Sequence, residues 1–202
     1  MNNTPAATTD DDACLVAACK RGELAAFEML VRKHQRRMLN IALRITGSYE
    51  DACEVVQDAF VAAHGGIGTF RGAARFSTWL TSITVNQARN RLQQLNSRRH
   101  REPVSLNTPI ATADGSLELD PPSPEPSAHE RLEQRDVRRQ VQECIGALPV
   151  DFREVLVLRD MEDFSYEEIG AMLRLAAGTV KSRLFRGREA IKDCLKRVMG
   201  EL

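Results

Sequence analysis

Aromatic residues are scarce, at 5% of 202 residues with a single Trp, so any core must be largely aliphatic. Cysteine is sparse as well. The five present (Cys14, Cys19, Cys53, Cys144, Cys194) are odd in number, scattered and without a CxxC pair, which argues against a disulfide framework or a zinc site and predicts reduced thiols. No apolar run approaches the ~18 residues that a membrane helix needs. The opening MNNTPAATTDDD carries acids where a secretory signal carries bases, so a cytoplasmic protein with no direct membrane insertion is expected. A Gly-rich phosphate loop, a His/Cys metal spacing and a paired-carboxylate motif are also missing. The chain therefore reads as a non-enzyme, with no catalytic residue, metal or cofactor assigned. What it has is a globular composition, 43% hydrophobic and 28% charged.

Net charge is zero, 28 Lys and Arg against 28 Asp and Glu, but the charges are segregated. Residues 71–101 hold seven arginines and no acid, a formal +7. Residues 174–197 hold eight bases against Glu189 and Asp193, a formal +6. Between these stretches, from Glu102 to Glu130, lie six of the eight prolines and six acids without one Lys or Arg, a formal −6. That composition has no helical period and reads as a flexible acidic tether. The expected organisation is a tail and start of a first helix at 1–21, a helical module at 22–100, a linker at 101–129 and a second helical module at 130–202.

Apolar residues recur at three and four in both modules, so both are expected to be all-α. Phe27, Leu30, Val31, Met38, Ile41 and Ile45 form one stripe, closed by Gly47 as a left-handed cap. Ser48 then opens a capping-box pattern ahead of Ala52, Val55, Val56, Ala59, Phe60 and Ala63. Gly65, Gly66 and Gly68 should end that helix, since glycine costs ~1 kcal/mol per helical position. A third helix is expected from Phe76 through Leu80, Ile83, Ala88 and Leu92. Behind the tether, Ser127 and Glu130 cap a helix with Val137, Val141, Ile145 and Leu148 on its core face, and Pro149 breaks it. Phe152, Val155 and Leu156 start the next. Ser165 and Glu168 cap a short one carrying Ile169, Met172 and Leu173, and LRLAAG leads into a last helix with Val180, Leu184, Ile191 and Leu195.

A short capped helix, a tight turn and a second helix rich in Lys, Arg and Ser is the layout of a helix-turn-helix DNA reader. That second helix reads GTVKSRLFRGRE. With Val180 and Leu184 inward, Lys181, Ser182, Arg183, Phe185 and Arg186 point outward, where arginine can read guanine and Lys or Ser can fix register on phosphates. An ordinary amphipathic helix with a solvated basic face gives the same spacing. The caps, the turn and the local charge favour the DNA reader.

Four blocks in order carry a family resemblance: GELAAFEMLVRKH, ALRITGSYEDACEVVQDAF, TFRGAARFSTWLTSITVNQARNRL and ALPVDFREVLVLRDMEDFSYEEIGAMLRLAAGTVKSRLFRGREAI. Together they cover nearly everything from Gly22 to Leu195 except the tether. The chain resembles the extracytoplasmic-function (ECF, group IV) sigma factors of bacterial RNA polymerase. The resemblance implies a sigma region 2 bundle in front and a sigma region 4 helix-turn-helix behind.

It also implies roles. The VVQDAF segment would put Asp51, Glu54, Gln57 and Asp58 on the clamp helices of the polymerase's largest subunit. Phe70, Arg71, Asn86, Arg89 and Asn90 would hold the single-stranded minus-10 element, with an extruded base trapped without ATP. Thr179, Lys181, Ser182, Arg183, Phe185 and Arg186 would read the minus-35 element. An apolar groove of the rear module would meet the polymerase flap, and the acidic tether would thread the active-site cleft. Trp79, at helical spacing beside Phe76 and Leu80, is assigned to packing. Cys14 and Cys19, or His34 and His64, could form a redox or metal sensor, but free Cys behaves as a small hydrophobe and sensing is the minor reading.

The implied partners are core RNA polymerase, promoter DNA and an anti-sigma factor, membrane-bound as one option, that clamps between the modules. The tether would allow a closed and an open arrangement. The chain departs from the family at Ala63–Gly66, where an aromatic is common, at Ala176–Ala177, where Pro-Val is common, and at Gly187, where alanine is common. The alternative reading is a conventional operator-binding helix-turn-helix regulator that works without the polymerase.

Overall fold

The computed structural model describes residues 12–101 and 128–199. Among them there is no strand. The front lobe comprises α1 (Ala13–Lys20), α2 (Leu24–Thr46), α3 (Tyr49–Gly66), a 3-10 turn (Ile67–Thr69) and α4 (Phe76–Arg101). The rear lobe comprises α5 (Ala128–Gly146), α6 (Val150–Leu156) running into a π turn (Val157–Met161), α7 (Tyr166–Leu173) and α8 (Ala177–Met199). The expected acidic tether and the Ser127 cap lie outside the described residues.

Local chemistry sets the helix ends. Gly47 closes α2 at φ 77°, its N–H donating to the Leu43 carbonyl at 2.8 Å, because glycine enters the left-handed region without a Cβ clash. Ser48 caps α3 by accepting from the Asp51 N–H. Leu30, Met38, Ile41 and Ile45 of α2 then meet Ala52 and Val55 of α3 and Phe76, Leu80 and Val85 of α4, all buried. Each such aliphatic side chain contributes roughly 1.5–3 kcal/mol on burial, which is what holds a bundle poor in aromatics. The rear lobe does the same with Ile145, Val155, Leu158, Ile169, Val180 and Leu184.

Three sequence expectations need correction. Gly65 and Gly66 stay helical, and the chain tightens only at Ile67–Thr69. A Cβ on Gly66 would stand 3.4 Å from the Trp79 ring, an ordinary contact distance, so the indole packs against α3 at this position. Val137 is 41% exposed rather than in the core, because only the far end of α5, at Cys144 and Ile145, and Leu148 just beyond it reach the lobe's interior. The thiols are not all reduced: Cys144 and Cys194 form a disulfide between α5 and α8, leaving Cys14, Cys19 and Cys53 free. The two are 50 positions apart in sequence, yet the packing of α5 against α8 brings their Cα atoms to 5.8 Å. A loop of that length, closed covalently, is worth roughly 4 kcal/mol by chain entropy.

The lobes touch. α2 packs against α5, α6 and the π turn, and apolar residues of both lobes merge into one buried cluster. Arg153 of α6 is buried and donates to the Ile45 carbonyl of α2 at 2.5 Å, as well as to the Leu148 and Gly146 carbonyls of its own lobe. Burial holds its pKa below the usual arginine value. Glu162, after the π turn, takes Arg37 of α2 at 2.7 Å and Arg44 at 3.7 Å.

Candidate nucleic-acid interface

The rear lobe builds a helix-turn-helix from α7 and α8. Ser165 and Glu168 complete a capping box, each side chain bonded to the other's backbone N–H. The turn is made by Arg174 at φ 55°, a conformation that costs a non-glycine residue about 1 kcal/mol. It is locked by the Leu175 N–H donating to the Gly170 carbonyl at 2.9 Å. A Cβ on Gly170 would stand 2.8 Å from the Leu175 carbonyl oxygen, so the turn closes this tightly only over a glycine. Sequence reasoning missed Gly170, since a glycine inside a helical period carries no local signal of such an approach.

On α8, Val180 and Leu184 are buried as expected, and Lys181, Ser182, Phe185 and Arg186 lie exposed. Phe185, at 67% exposure, is an apolar ring displayed beside two cations. Thr179 is half-buried, and its carbonyl accepts from the Ser182 hydroxyl at 3.0 Å. Arg183 is drawn aside, paired with Asp151 of α6 at 2.8 Å. Arg188 pairs with both oxygens of Asp160 in the π turn, at 3.0 and 2.5 Å, which seats α8 on α6.

In the front lobe, Asn86, Arg89 and Asn90 share one face of α4, at spacings of three and four. Both asparagines are exposed, and the face continues through Gln93, Gln94, Ser97 and Arg98 around a shallow polar hollow. Those last four residues were not singled out from the sequence; only the geometry makes them one surface with Asn90. Arg71 is exposed in the loop before α4, where Gly72 at φ 72° turns the chain. Phe70 is elsewhere. Its side chain is 9% exposed and packs against Trp79, centroids 5.0 Å apart, and edge-on to Phe76 at 6.1 Å. Its carbonyl accepts from Lys20 at 2.5 Å. The ring is thus part of the core in this arrangement, together with the half-buried Trp79.

Asp51, Glu54, Gln57 and Asp58 follow one side of α3. Arg91 of α4 grips the first two, Asp51 at 2.7 Å and Glu54 at 2.6 Å, while Gln57 and Asp58 remain exposed.

The least expected feature is α6. Its Glu154, fully buried, accepts two bonds from Arg89, one from Nε at 3.0 Å and one from Nη2. Burial pushes the Glu154 carboxyl above its ordinary value, against the opposing pull of Arg89. Asp151, one turn earlier, takes Arg183. One short helix therefore occupies an arginine of each basic surface. Neither acid stands out in the sequence, where both look like solvated charges on an amphipathic helix.

Among the described residues, no helix is long and apolar enough to cross a membrane, and no group of three or more His, Cys, Asp or Glu could hold a metal.

Sigma-70 region 2 matches residues 30–99, and Sigma-70, region 4 matches residues 138–191. The RNA polymerase sigma-H factor of Pseudomonas aeruginosa is 36% identical over 96% of this chain and 98% of its own length. The ECF RNA polymerase sigma-E factor of Escherichia coli K12 is 36% identical over 90% of this chain and 93% of its own. Among solved structures, CnrH in complex with the cytosolic domain of CnrY matches with a TM-score of 0.62 at 25% identity, covering 94% of this chain and 99% of that one. The sigma factor RpoE of Bartonella quintana, solved with the anti-sigma factor NepR, shares the fold with a TM-score of 0.62 at 22% identity, over 84% of this chain and 96% of that one. With both regions matched in order and full-length relatives at this identity, the chain belongs to the ECF sigma factors of bacterial RNA polymerase.

Proposed function

We propose that this chain is a promoter-recognition subunit acting as two cooperating lobes in the cytoplasm, a binding protein rather than an enzyme. Residues 22–100 engage core RNA polymerase through the α3 face of Asp51, Glu54, Gln57 and Asp58, and take the separated minus-10 strand along α4. The amides of Asn86 and Asn90 suit a base edge, and Arg71 and Arg89 suit its phosphates. Residues 130–202 place α8 in the major groove of the minus-35 element, with Lys181, Ser182 and Arg186 on phosphates and bases. Thr179 and Phe185 flank that contact, and Phe185 suits a thymine methyl. Phe70 serves the minus-10 strand only if the loop before α4 rearranges, since its ring is packed inward here.

The observation that carries this reading is the capped helix-turn-helix with its exposed Lys181, Ser182 and Arg186 joined, in one chain, to a second basic helix surface. The free chain is closed, with Glu154 of α6 holding Arg89 across the lobes, and opening releases Arg89, while Arg183 stays paired with Asp151 inside the rear lobe until DNA takes it. An anti-sigma factor that grips both lobes from outside would prolong that closed state, one wedged between them would replace it, and core polymerase would end either. The test is transcription from a cognate promoter by core enzyme with and without the purified chain. Transcript that appears only on adding the chain supports the reading. Absence of any affinity of the chain for core enzyme overturns it and returns the operator-binding alternative.

A further inference from the structure

The Cys144–Cys194 bond has no part in the reading above, and it occupies a telling position. Cys144 is 1% exposed on α5, and Cys194 is half-buried on α8. Each is followed directly by a residue lining a mainly apolar groove of about 590 Å³, Ile145 on one wall and Leu195 on the other, with Val141, Leu156, Met161 and Ile191 beside them and charged side chains also lining it. The bond therefore ties the two walls together.

Noncovalent anchoring of α8 fades before that point. Val180 and Leu184 are fully buried, Ala190 and Ile191 only half, and Lys196, Arg197 and Val198 are exposed. The disulfide is what pins the last turns of α8 across α5. We propose that Cys144 and Cys194 form an oxidant-reactive dithiol site. A peroxide-class oxidant closes it, a dithiol reductant opens it, and its state sets how firmly the end of α8 holds the groove.

The chemistry balances with those two thiols and one peroxide. Cys194 is the more accessible, so its thiolate attacks the peroxide: an S–O bond forms, the O–O bond breaks, and the leaving oxygen departs as water after taking a proton. Cys144 then attacks the sulfenic sulfur, forming S–S and expelling the second oxygen as water. Two electrons and two protons leave the thiols, and one hydrogen peroxide becomes two waters. Reduction runs through a mixed disulfide with an external dithiol, whose second thiol releases it oxidised.

The experiment uses the full chain, first reduced and then treated with stoichiometric hydrogen peroxide, read by differential alkylation and peptide mass spectrometry. Expected is a Cys144–Cys194 peptide pair that a dithiol reverts, formed ahead of any change at Cys14, Cys19 or Cys53. Hydrogen exchange on both states is expected to show amides beyond Ile191 exchanging at least tenfold faster when reduced. The C194S and C144S variants should exchange like the reduced chain whether or not peroxide is added. Two alkylatable thiols surviving a tenfold excess of peroxide would overturn the proposal. So would equal exchange in the two states of the wild-type chain.

Discussion

Arg89 of α4 and Glu154 of α6 meet across the lobes as a two-pronged ion pair, the guanidinium Nε at 3.0 Å from one oxygen and Nη2 on the other. The carboxylate is wholly buried and the arginine largely so. A planar fork on a carboxylate is the most directional ion pair available to a protein, and removing one partner leaves a buried charge uncompensated. Here that penalty falls on the closed arrangement, in which the two lobes meet and the pair forms.

Glu154→Ala is therefore expected to shift the chain toward the open form. The methyl accepts nothing from Arg89 and leaves the guanidinium without its buried partner, at a cost on the order of 2–3 kcal/mol once the partial exposure of Arg89 is allowed for. Small-angle scattering should show a larger radius of gyration, and a labelled single-stranded minus-10 oligonucleotide should bind at least threefold tighter as Arg89 is freed. An unchanged radius together with unchanged oligonucleotide affinity would remove the latch from the account.

Proton linkage at the same carboxyl has a defined sign. In the closed form burial raises Glu154 above its ordinary value of about 4.5, and an opening that exposes the carboxyl to water would remove that cause. The closed form thus binds more protons between those two values, and closing is favoured as pH falls through that window. Below the ordinary carboxylate value both forms are protonated and the gain stops. Energy transfer between dyes on the two lobes should rise on mild acidification in the wild-type chain and stay flat in Glu154→Gln. A rise of equal size in the variant would place the proton elsewhere.

Much of the architecture was legible in the sequence because its signals are local. Ser48, Gly47 and the Ser165–Glu168 box specify helix ends through bonds made within a few residues. Val180 and Leu184 set the inward face of α8, and so its outward one, by period alone. What stayed hidden depends on contacts between distant segments. Cys144 and Cys194 are far apart along the chain, with no spacing motif to pair them. Glu154 reads as a surface acid until Arg89 of α4 reaches it across the lobes. Phe70 reads as a loop aromatic until Trp79 and Phe76 close on it. Pairings across elements are fixed by packing angles, which the local pattern does not encode.

Two glycines on the helix-turn-helix give opposite expectations for the same substitution. At Gly170 an added Cβ would sit 2.8 Å from the Leu175 carbonyl oxygen. Relief requires moving backbone, which also loosens the 2.9 Å bond from the Leu175 N–H. Overpacking of this kind costs about 1–3 kcal/mol, and loss of the hydrogen bond adds about 1, against a helix-propensity gain of about 1. Gly170→Ala should destabilise the rear lobe by roughly 1–3 kcal/mol and weaken minus-35 duplex binding in a fluorescence anisotropy titration. Wild-type melting with wild-type affinity would refute the close approach.

Gly187 is buried on α8 against α6, but there the added methyl would lie 3.5 Å from Phe152 and 3.6 Å from Leu156, ordinary contact distances. Nothing has to move. The propensity gain of about 1 kcal/mol then stands unopposed, with a small further contribution from the methyl's burial against two apolar neighbours. Gly187→Ala is expected to raise stability by about 0.5–1 kcal/mol, a melting shift of roughly 2–4 °C for a unit of this size. DNA affinity should be unchanged, because the position faces α6 and not the groove-reading side of Lys181 and Arg186. A lower melting temperature would mean that α8 sits closer to α6 than these distances allow, and the seating of the recognition helix by Arg188 and Asp160 would need to be redrawn.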